Sequence, residues 1–190
     1  MSAARPPEGA RAPSGGSDPH AVGERGGNMA MLDDLYQEVL LEHKKHPRNC
    51  GRLQCVHRCA AGHNPLCGDS ISVQLAESGD RVADIAFEGQ GCAICIASAS
   101  LMTEAVKGRP LAEVKQLIAS MRDLLTREGA PDDAQEARLG KLAALQGVRR
   151  HPSRIKCAML GWCALDECLK DAGAGATTIT TEAGHAGISA

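Results

Sequence analysis

The chain is short of aromatic residues and has no excess of positive charge. Only three of its 190 residues are aromatic, namely Tyr36, Phe87 and Trp162. Lysine and arginine total 21 against 23 aspartate and glutamate residues, so the formal net charge is -2. Proteins that bind nucleic acids need a surplus of cations for the phosphates, and single strands also need aromatic stacking platforms. The composition therefore predicts no nucleic-acid partner.

Long apolar runs are also missing. The longest stretch without a charged side chain, Gly89–Thr103, has fifteen residues and includes serines. A helix needs about 20 mostly apolar residues to cross a bilayer, so we expect no membrane association. No apolar run follows Arg5 and Arg11, so a secretory signal is not predicted either. The expected location is the cytoplasm.

The length favours a single domain, and the composition predicts a disordered segment at each end of it. Residues 1–28 are rich in Pro, Gly, Ser and Ala without periodicity, which predicts a disordered N-terminal extension. An alternative is that the true start is Met29 or Met31. Residues 171–190, rich in Ala, Gly and Thr, predict a disordered C-terminal tail. The folded domain is then residues 31–170.

Alternating apolar residues predict a small antiparallel sheet. Apolar and polar residues alternate on both sides of a turn at Ser78–Asp80, with Ile71, Val73 and Leu75 before it and Ala83, Ile85 and Phe87 after it. This alternation is typical of a hairpin of half-buried strands. A short edge strand near Cys59–Gly62 is expected to make the sheet three-stranded.

Apolar residues at helical spacing predict several helices. These are Leu32–Leu40, Cys92–Lys107, a helix opened by Pro110 and a last helix opened by Pro152 and Ser153. Pro47 and Gly108 end the first two, and Ser153 is the expected N-cap of the last. Because the strands come first and most helices follow, the predicted class is α+β, a small antiparallel three-stranded sheet packed against several helices.

The chain is rich in cysteine, although no export signal is predicted. The nine cysteines are an odd number, and in a reducing compartment they serve as metal ligands, nucleophiles or small core residues. Cys67, Cys92 and Cys157 fall at the ends of predicted elements, the last in the first turn of its helix. A helix N-terminus stabilises a thiolate, which both metal binding and sulfur transfer require. Asp69, at the start of a strand, would direct its carboxylate the same way as the Cys67 thiol.

Three thiolates and one carboxylate form a tetrahedral ligand set. Such a set suits zinc and also holds iron in an iron–sulfur cluster. However, the 24 and 64 residues between the three cysteines match no local zinc motif. A free cysteine is often a small buried hydrophobe. The spacing alone leaves both interpretations open, a metal site and core packing.

Six runs of the chain follow one another in a recognisable order. They are Leu35–His43, Pro47–Gly51, Asn64–Asp69, Phe87–Cys92, Ala97–Thr103 and Arg154–Trp162. Together they resemble the U-type iron–sulfur cluster assembly family, which includes the IscU and NifU N-terminal scaffolds and the SufU proteins. The resemblance covers nearly all of the predicted domain. It implies a SufE/IscU-like fold in which Cys67, Asp69, Cys92 and Cys157 hold the metal or the cluster.

Three departures from the scaffold pattern match the SufU branch. Lys156 stands where scaffolds have His, and Arg149–Ser153 replaces their chaperone-recruiting Leu-Pro-Pro-Val-Lys run. The interval between Cys92 and Cys157 is also longer, by the polar segment around Arg122–Gly140. The resemblance implies a zinc-dependent sulfurtransferase-like carrier that takes persulfide sulfur from a SufS-type cysteine desulfurase. SUF cluster-assembly proteins are further expected partners.

The resemblance also suggests individual roles. Cys67 is the expected sulfur acceptor because it lies in a loop, whereas Cys92 and Cys157 are fixed on helices. Arg154 is expected to contact the partner or Asp69. Two alternatives stay open. One is a scaffold that assembles and transfers a [2Fe–2S] cluster, with iron in place of zinc, and the other is a structural zinc domain that regulates the desulfurase without carrying sulfur.

Some of the other cysteines are expected in the core. Cys163 and Cys168 fall within the last helix, and Cys95 lies one turn after Cys92. Core packing is the favoured interpretation for Cys95, with a spare ligand or a sulfur relay as the alternative. His43, at the end of the first helix, is expected to be a packing or capping residue.

A second cluster of cysteines precedes the sheet. Cys50, Cys55 and Cys59 have a spacing that fits no common zinc knuckle. A second metal site there, completed by His57 or His63, is therefore the less favoured interpretation.

Overall fold

The structure is a computed structural model that describes residues 1, 36–127, 129, 132–170 and 177–180. Apart from Met1, the predicted N-terminal extension (residues 1–28) lies outside the described residues. The predicted start of the first helix also lies outside them. None of the helices in the described ranges has the length and apolarity that a membrane span requires.

The sheet has four strands in the order β3-β2-β1-β4. The strands are β1 (Arg58–Asn64), β2 (Asp69–Ser78), β3 (Arg81–Gln90) and β4 (Thr177–Thr180). Neighbours among β1, β2 and β3 are antiparallel, whereas β4 runs parallel to β1. The α+β class is confirmed, and the expected three-stranded antiparallel sheet is corrected to a four-stranded mixed one.

The added strand lies in the segment predicted to be a disordered tail. The four residues of β4 pair with β1, where Ala60 stands opposite Thr177. Local composition did not predict this strand because its four residues sit among alanine, glycine and threonine. Its pairing partner lies more than a hundred residues earlier in the chain. The other residues of the predicted tail lie outside the described part.

The alternation predicted for β3 is wrong at the start of the strand. Val82 is fully buried and Ala83 is exposed. The reason is an irregularity in the pairing with β2, where Ala76 pairs with Asp84 but Glu77 pairs with Val82. A bulge of this kind inserts one extra residue and reverses the face to which the neighbouring side chains point.

The helices follow the predicted order with small shifts in their bounds. They are α1 (residues 36–45 in its described part), α2 (Ala93–Val106), α3 (Leu111–Thr126), α4 (Asp133–Leu139) and α5 (Pro152–Lys170). Helix α5 begins at Pro152, so the predicted N-cap Ser153 lies inside the helix. Cys157 consequently lies in the second turn of α5 and not in the first.

The segment predicted to be polar, around Arg122–Gly140, and the residues that follow it contain two short helices. Helix α4 is followed at once by a 3-10 helix, Gly140–Arg150. The side chains that anchor these two helices are Leu139, Leu142, Leu145 and Val148, each at most 3% exposed. These apolar residues recur every three residues, and the helix that they form packs on α3 and α5.

Helices α2 and α5 pack on each other and on the sheet. Trp162 of α5 is fully buried, and its Nε1–H donates to Ser98 Oγ at 3.1 Å. The Ser98 hydroxyl in turn donates to the Ala158 carbonyl at 2.7 Å. The buried polar groups between α2 and α5 are thereby satisfied, which fixes how the two helices sit on the sheet.

Helix α1 is anchored on α2 through His43. This histidine is buried, and its Nδ1 lies 2.8 Å from Ser100 Oγ. Ser100 Oγ also accepts a hydrogen bond from the Arg48 backbone N–H at 2.7 Å. Burial lowers the pKa of His43 below its ordinary value, because charging the ring there costs solvation. The predicted packing role of His43 is confirmed.

Candidate metal site

Cys67 lies in the turn between β1 and β2, at one end of the sheet. The Asn64 carbonyl accepts hydrogen bonds from the backbone N–H groups of Cys67 (3.3 Å) and Gly68 (2.9 Å). Gly68 has a φ of 68°, in the left-handed region that glycine occupies without strain. The turn leaves Cys67 half-buried, two residues before Asp69.

Asp69 opens β2 and faces the start of α2. Its side chain is almost fully buried, and Oδ1 accepts a hydrogen bond from the Cys92 backbone N–H at 2.9 Å. Oδ2 lies 3.6 Å from Cys92 Sγ, and Cys92 occupies the N-cap position of α2. A Cβ at Gly91 would lie 3.0 Å from Asp69 Oδ1. The close approach of this carboxylate therefore depends on glycine at position 91.

Cys157, on α5, places its sulfur beside Cys67. It is fully buried, and its Sγ lies 3.3 Å from Cys67 Sγ and 3.4 Å from Asn64 Nδ2. Arg154, one turn earlier on α5, is exposed and its Nη1 donates to Cys67 Sγ at 3.4 Å. Arg154 was predicted to contact Asp69 or a partner, whereas this hydrogen bond goes to Cys67.

The four predicted ligands thus lie together. One donor atom each from Cys67, Asp69 and Cys157 lies within 4.8 Å of the others, and Cys92 adjoins them through Asp69. Tetrahedral zinc needs sulfurs about 3.8 Å apart and sulfur and oxygen about 3.5 Å apart. The observed separations of 3.3 Å and 3.6 Å are close to these values. The donor set fits the ion, and the role of each residue as a ligand stays a prediction.

The pKa values of the Cys92 and Cys157 thiols shift in opposite directions. A hydrogen bond from the Cys157 side chain lowers the pKa of Cys92 to about 6, against the opposing effect of burial, and backbone N–H groups at the start of α2 add to the lowering. The same contact, together with burial, raises the pKa of Cys157. Contacts with Cys157 and Cys67 raise the pKa of Arg154. Cys92 is therefore more easily deprotonated than Cys157, and the guanidinium beside Cys67 remains charged.

The other helical cysteines belong to the core. Cys95 and Cys168 are each 1% exposed, and burial raises the pKa of Cys168 to about 12. Burial likewise raises the pKa of Cys95. Cys163 is half-buried and packs against the core. Core packing, the favoured interpretation for these three, is confirmed.

Cys50 and Cys55, before the sheet, and Cys59, in β1, do not gather into a second site. Cys50 and Cys55 are exposed, and Cys55 Sγ lies 3.6 Å from His57 Nε2. Among the described residues, the one group of three His, Cys, Asp or Glu side chains with donor atoms in metal-binding range is the group around Cys67. The contacts of Cys50, Cys55 and Cys59 therefore give no support to a second metal site.

Two residues that shape the site, Asn64 and Gly91, were not predicted from the sequence. Asn64 contacts Cys157, and Gly91 makes room for Asp69. Both lay inside runs that were singled out as whole motifs. An asparagine at the end of a predicted strand, directly before a proline, was the available signal for a structured turn.

Comparison with known proteins agrees with this geometry. The profile of the NifU-like N-terminal domain matches residues 35–171. Zinc-dependent sulfurtransferase SufU of Bacillus subtilis (strain 168) is 41% identical over 138 residues, which are 73% of this chain and 91% of SufU. Iron–sulfur cluster assembly scaffold protein IscU of Streptococcus pyogenes serotype M1 is 39% identical over 142 residues, 75% of this chain and 87% of IscU.

A solved structure shares the fold. The crystal structure of an iron–sulfur cluster assembly scaffold protein for the SUF system, from Fervidobacterium islandicum AW-1, superposes with a TM-score of 0.66. It is 28% identical, and the match covers 72% of this chain and 97% of that one. The resemblance drawn from the sequence runs is confirmed, and the chain belongs to the family of NifU-like N-terminal domains.

Proposed function

We propose that this chain is an iron–sulfur cluster assembly protein that binds zinc and accepts persulfide sulfur from a SufS-type cysteine desulfurase in the cytoplasm. The observation that carries the proposal is the convergence of Cys67, Asp69 and Cys157, with Cys92 alongside, at one end of the sheet. The similarity to a protein named zinc-dependent sulfurtransferase SufU supports it. Other SUF assembly proteins are the expected recipients of the sulfur.

The donor set is suited to zinc. Cys67, Asp69, Cys92 and Cys157 would hold the ion as a closed set of four ligands. When bound, zinc supplies positive charge that keeps coordinated thiols deprotonated at neutral pH. The chain contributes part of the same effect, since the pKa of Cys92 is already lowered by its neighbours.

Sulfur transfer needs one thiolate that can reach a partner. Cys67 meets this need because it is half-buried in a turn, whereas Cys92 and Cys157 are held by helices. Its thiolate attacks the outer sulfur of the persulfide on the desulfurase. A new S–S bond forms on Cys67, the S–S bond of the partner breaks, and the partner's cysteine leaves as a thiolate. The exchange requires no oxidant or reductant.

Arg154 assists at the same position. Its guanidinium is exposed and lies 3.4 Å from Cys67 Sγ. A fixed cation beside this sulfur attracts the anionic persulfide as the partner approaches. Arg154 therefore connects the acceptor sulfur to the surface on which the desulfurase would dock.

The test combines the protein with a SufS-type desulfurase and free cysteine, and measures alanine release. The Cys67→Ser variant is expected to abolish stimulation, and mass spectrometry after alkylation should find a persulfide on wild-type Cys67. Cys55→Ser is the matched control, because Cys55 is exposed near the opposite end of the β1–β2 hairpin. Full stimulation by Cys67→Ser would contradict the acceptor role. Stimulation without any persulfide on the wild type would indicate a purely regulatory zinc domain.

A cluster scaffold is the second candidate function. A carboxylate among three thiols binds iron less tightly than a fourth thiolate, which suits a cluster that must be handed on. The similarity to proteins named as IscU scaffolds favours the same candidate. Metal analysis and an absorption spectrum of anaerobically purified protein separate the two. A zinc protein is colourless, whereas a bound [2Fe–2S] cluster gives a brown protein with visible absorption bands.

A further inference from the structure

Asn64 connects the two parts of the chain that carry Cys67 and Cys157. We propose that Asn64 is a positioning residue, which fixes the Cys67 turn against α5 and donates a hydrogen bond to the Cys157 sulfur, and thereby strengthens zinc binding. The inference rests on the proposed function for its zinc component. Its structural component concerns the metal-free chain and can be tested separately.

The turn after β1 depends on Asn64. Its main-chain carbonyl accepts hydrogen bonds from Cys67 and Gly68, and its side-chain Oδ1 accepts one from the Leu66 N–H at 3.3 Å. Pro65 and Gly68 are exposed, and Leu66 is 70% exposed. Because so little apolar packing holds the turn, its hydrogen bonds to Asn64 are a main constraint on where the Cys67 sulfur lies.

The orientation of the Asn64 amide follows from its partners. The Leu66 backbone N–H can only donate, so the amide oxygen must face it. The amide nitrogen then faces Cys157 Sγ, 3.4 Å away. Asn64 is 1% exposed, so this N–H has no access to bulk water and needs the sulfur as its acceptor. A hydrogen bond of this kind orients the sulfur that would bind the metal.

Two substitutions separate the two contributions of Asn64. Asn64→Asp retains an oxygen for the Leu66 N–H but replaces the donor to Cys157 with a second oxygen. Asn64→Ala removes both contacts. The matched control is Ser100→Ala, which deletes a buried hydroxyl with two hydrogen bonds in the middle of α2, two turns away from Cys92.

The first measurement is zinc affinity, by competition with a chromophoric chelator. Loss of a group that orients a ligand typically weakens binding 10- to 100-fold, and we expect both Asn64 variants to fall in that range. The cobalt-substituted proteins add a spectroscopic readout. Without the N–H donor the sulfur holds its electrons less tightly, so the sulfur-to-cobalt charge-transfer band of Asn64→Asp should move to longer wavelength. Ser100→Ala should change neither quantity.

The second measurement uses metal-free protein. Oxidised glutathione should join Cys67 and Cys157 in a disulfide and release two molecules of reduced glutathione, because their sulfurs lie 3.3 Å apart. Asn64→Ala is expected to slow this step about tenfold, since loss of the Leu66 hydrogen bond loosens the turn that carries the reacting sulfur. Ser100→Ala should react like the wild type.

The outcomes distinguish this inference from the proposed function. Wild-type zinc affinity, an unshifted cobalt band and a wild-type disulfide rate in the Asn64 variants would overturn the positioning role. A wild-type protein that neither binds zinc nor accepts sulfur would refute the proposed function instead. The disulfide rates would still decide whether Asn64 places the Cys67 turn.

Discussion

The approach of Asp69 to the start of α2 leads to a sharp prediction for Gly91→Ala. The added Cβ would lie 3.0 Å from Asp69 Oδ1, 3.1 Å from Asp69 Cγ and 3.2 Å from Cys95 Cβ. These distances are shorter than most real Cβ contacts, so the carboxylate has to shift by a few tenths of an ångström. The shift stretches the 2.9 Å hydrogen bond from the Cys92 N–H and displaces a predicted zinc ligand.

The expected effects on zinc binding and on folding are of similar size. A displaced ligand oxygen should weaken binding about tenfold, the lower end of the range for perturbed ligand orientation, which corresponds to about 1.4 kcal/mol. Crowding in a packed site costs about 1–3 kcal/mol of unfolding free energy. Chelator competition measures the first quantity, and urea unfolding of the metal-free protein measures the second.

Gly161→Ala is the matched control for Gly91→Ala. A Cβ at Gly161 would meet Ala99 Cβ at 3.4 Å, an ordinary contact distance. Gly161 lies inside α5, where alanine is favoured over glycine by about 1 kcal/mol. We therefore expect equal or greater stability and unchanged zinc affinity in this variant. If Gly91→Ala binds zinc as tightly as Gly161→Ala does, the close approach of Asp69 does not govern the site.

Two further predictions concern the scaffold of the site. Arg58→Met should lower the unfolding free energy of metal-free protein by about 2 kcal/mol, because it breaks a half-buried ion pair with Glu77 and two hydrogen bonds to carbonyls at the end of α5. Arg52→Met, which removes an exposed pair, should cost less than about 0.5 kcal/mol in the same urea titration, and equal losses would refute the argument. Burial lowers the pKa of His43 despite nearby Glu104, so the unfolded chain binds the proton more readily and stability falls as the pH drops below about 6.5. His43→Gln should lose less stability than the wild type between pH 7.5 and pH 5 in urea titrations, and parallel losses would count against a neutral buried His43.

Much of the fold could be predicted from the sequence because it depends on local periodicity. The alternation of Ile71, Val73 and Leu75 placed β2, and Gly108 marked the end of α2 within two residues. The bulge beside Ala76 could not be predicted, because it arises from how two strands pair and has no local sequence pattern. The 3-10 helix was not predicted, although Leu142, Leu145 and Val148 recur at the three-residue spacing of such a helix.

The candidate site divides in the same way. Family resemblance singled out Cys67, Asp69, Cys92 and Cys157, while their spacing alone allowed both a metal site and core packing. The contacts of Asn64 and Gly91 emerged only when the turn, the β3–α2 junction and α5 were placed together. Distances between side chains ninety residues apart depend on how the elements pack.

What the sequence determined by itself was the α+β class, the order of most elements and the residue types available for chemistry. Each of these follows from the preferences of neighbouring residues, which a linear pattern records. The tertiary structure alone decided that β4 joins the sheet beside β1 and that Arg154 points to Cys67. These contacts join segments distant in the chain, and their energy comes from packing that forms only when the whole domain is assembled.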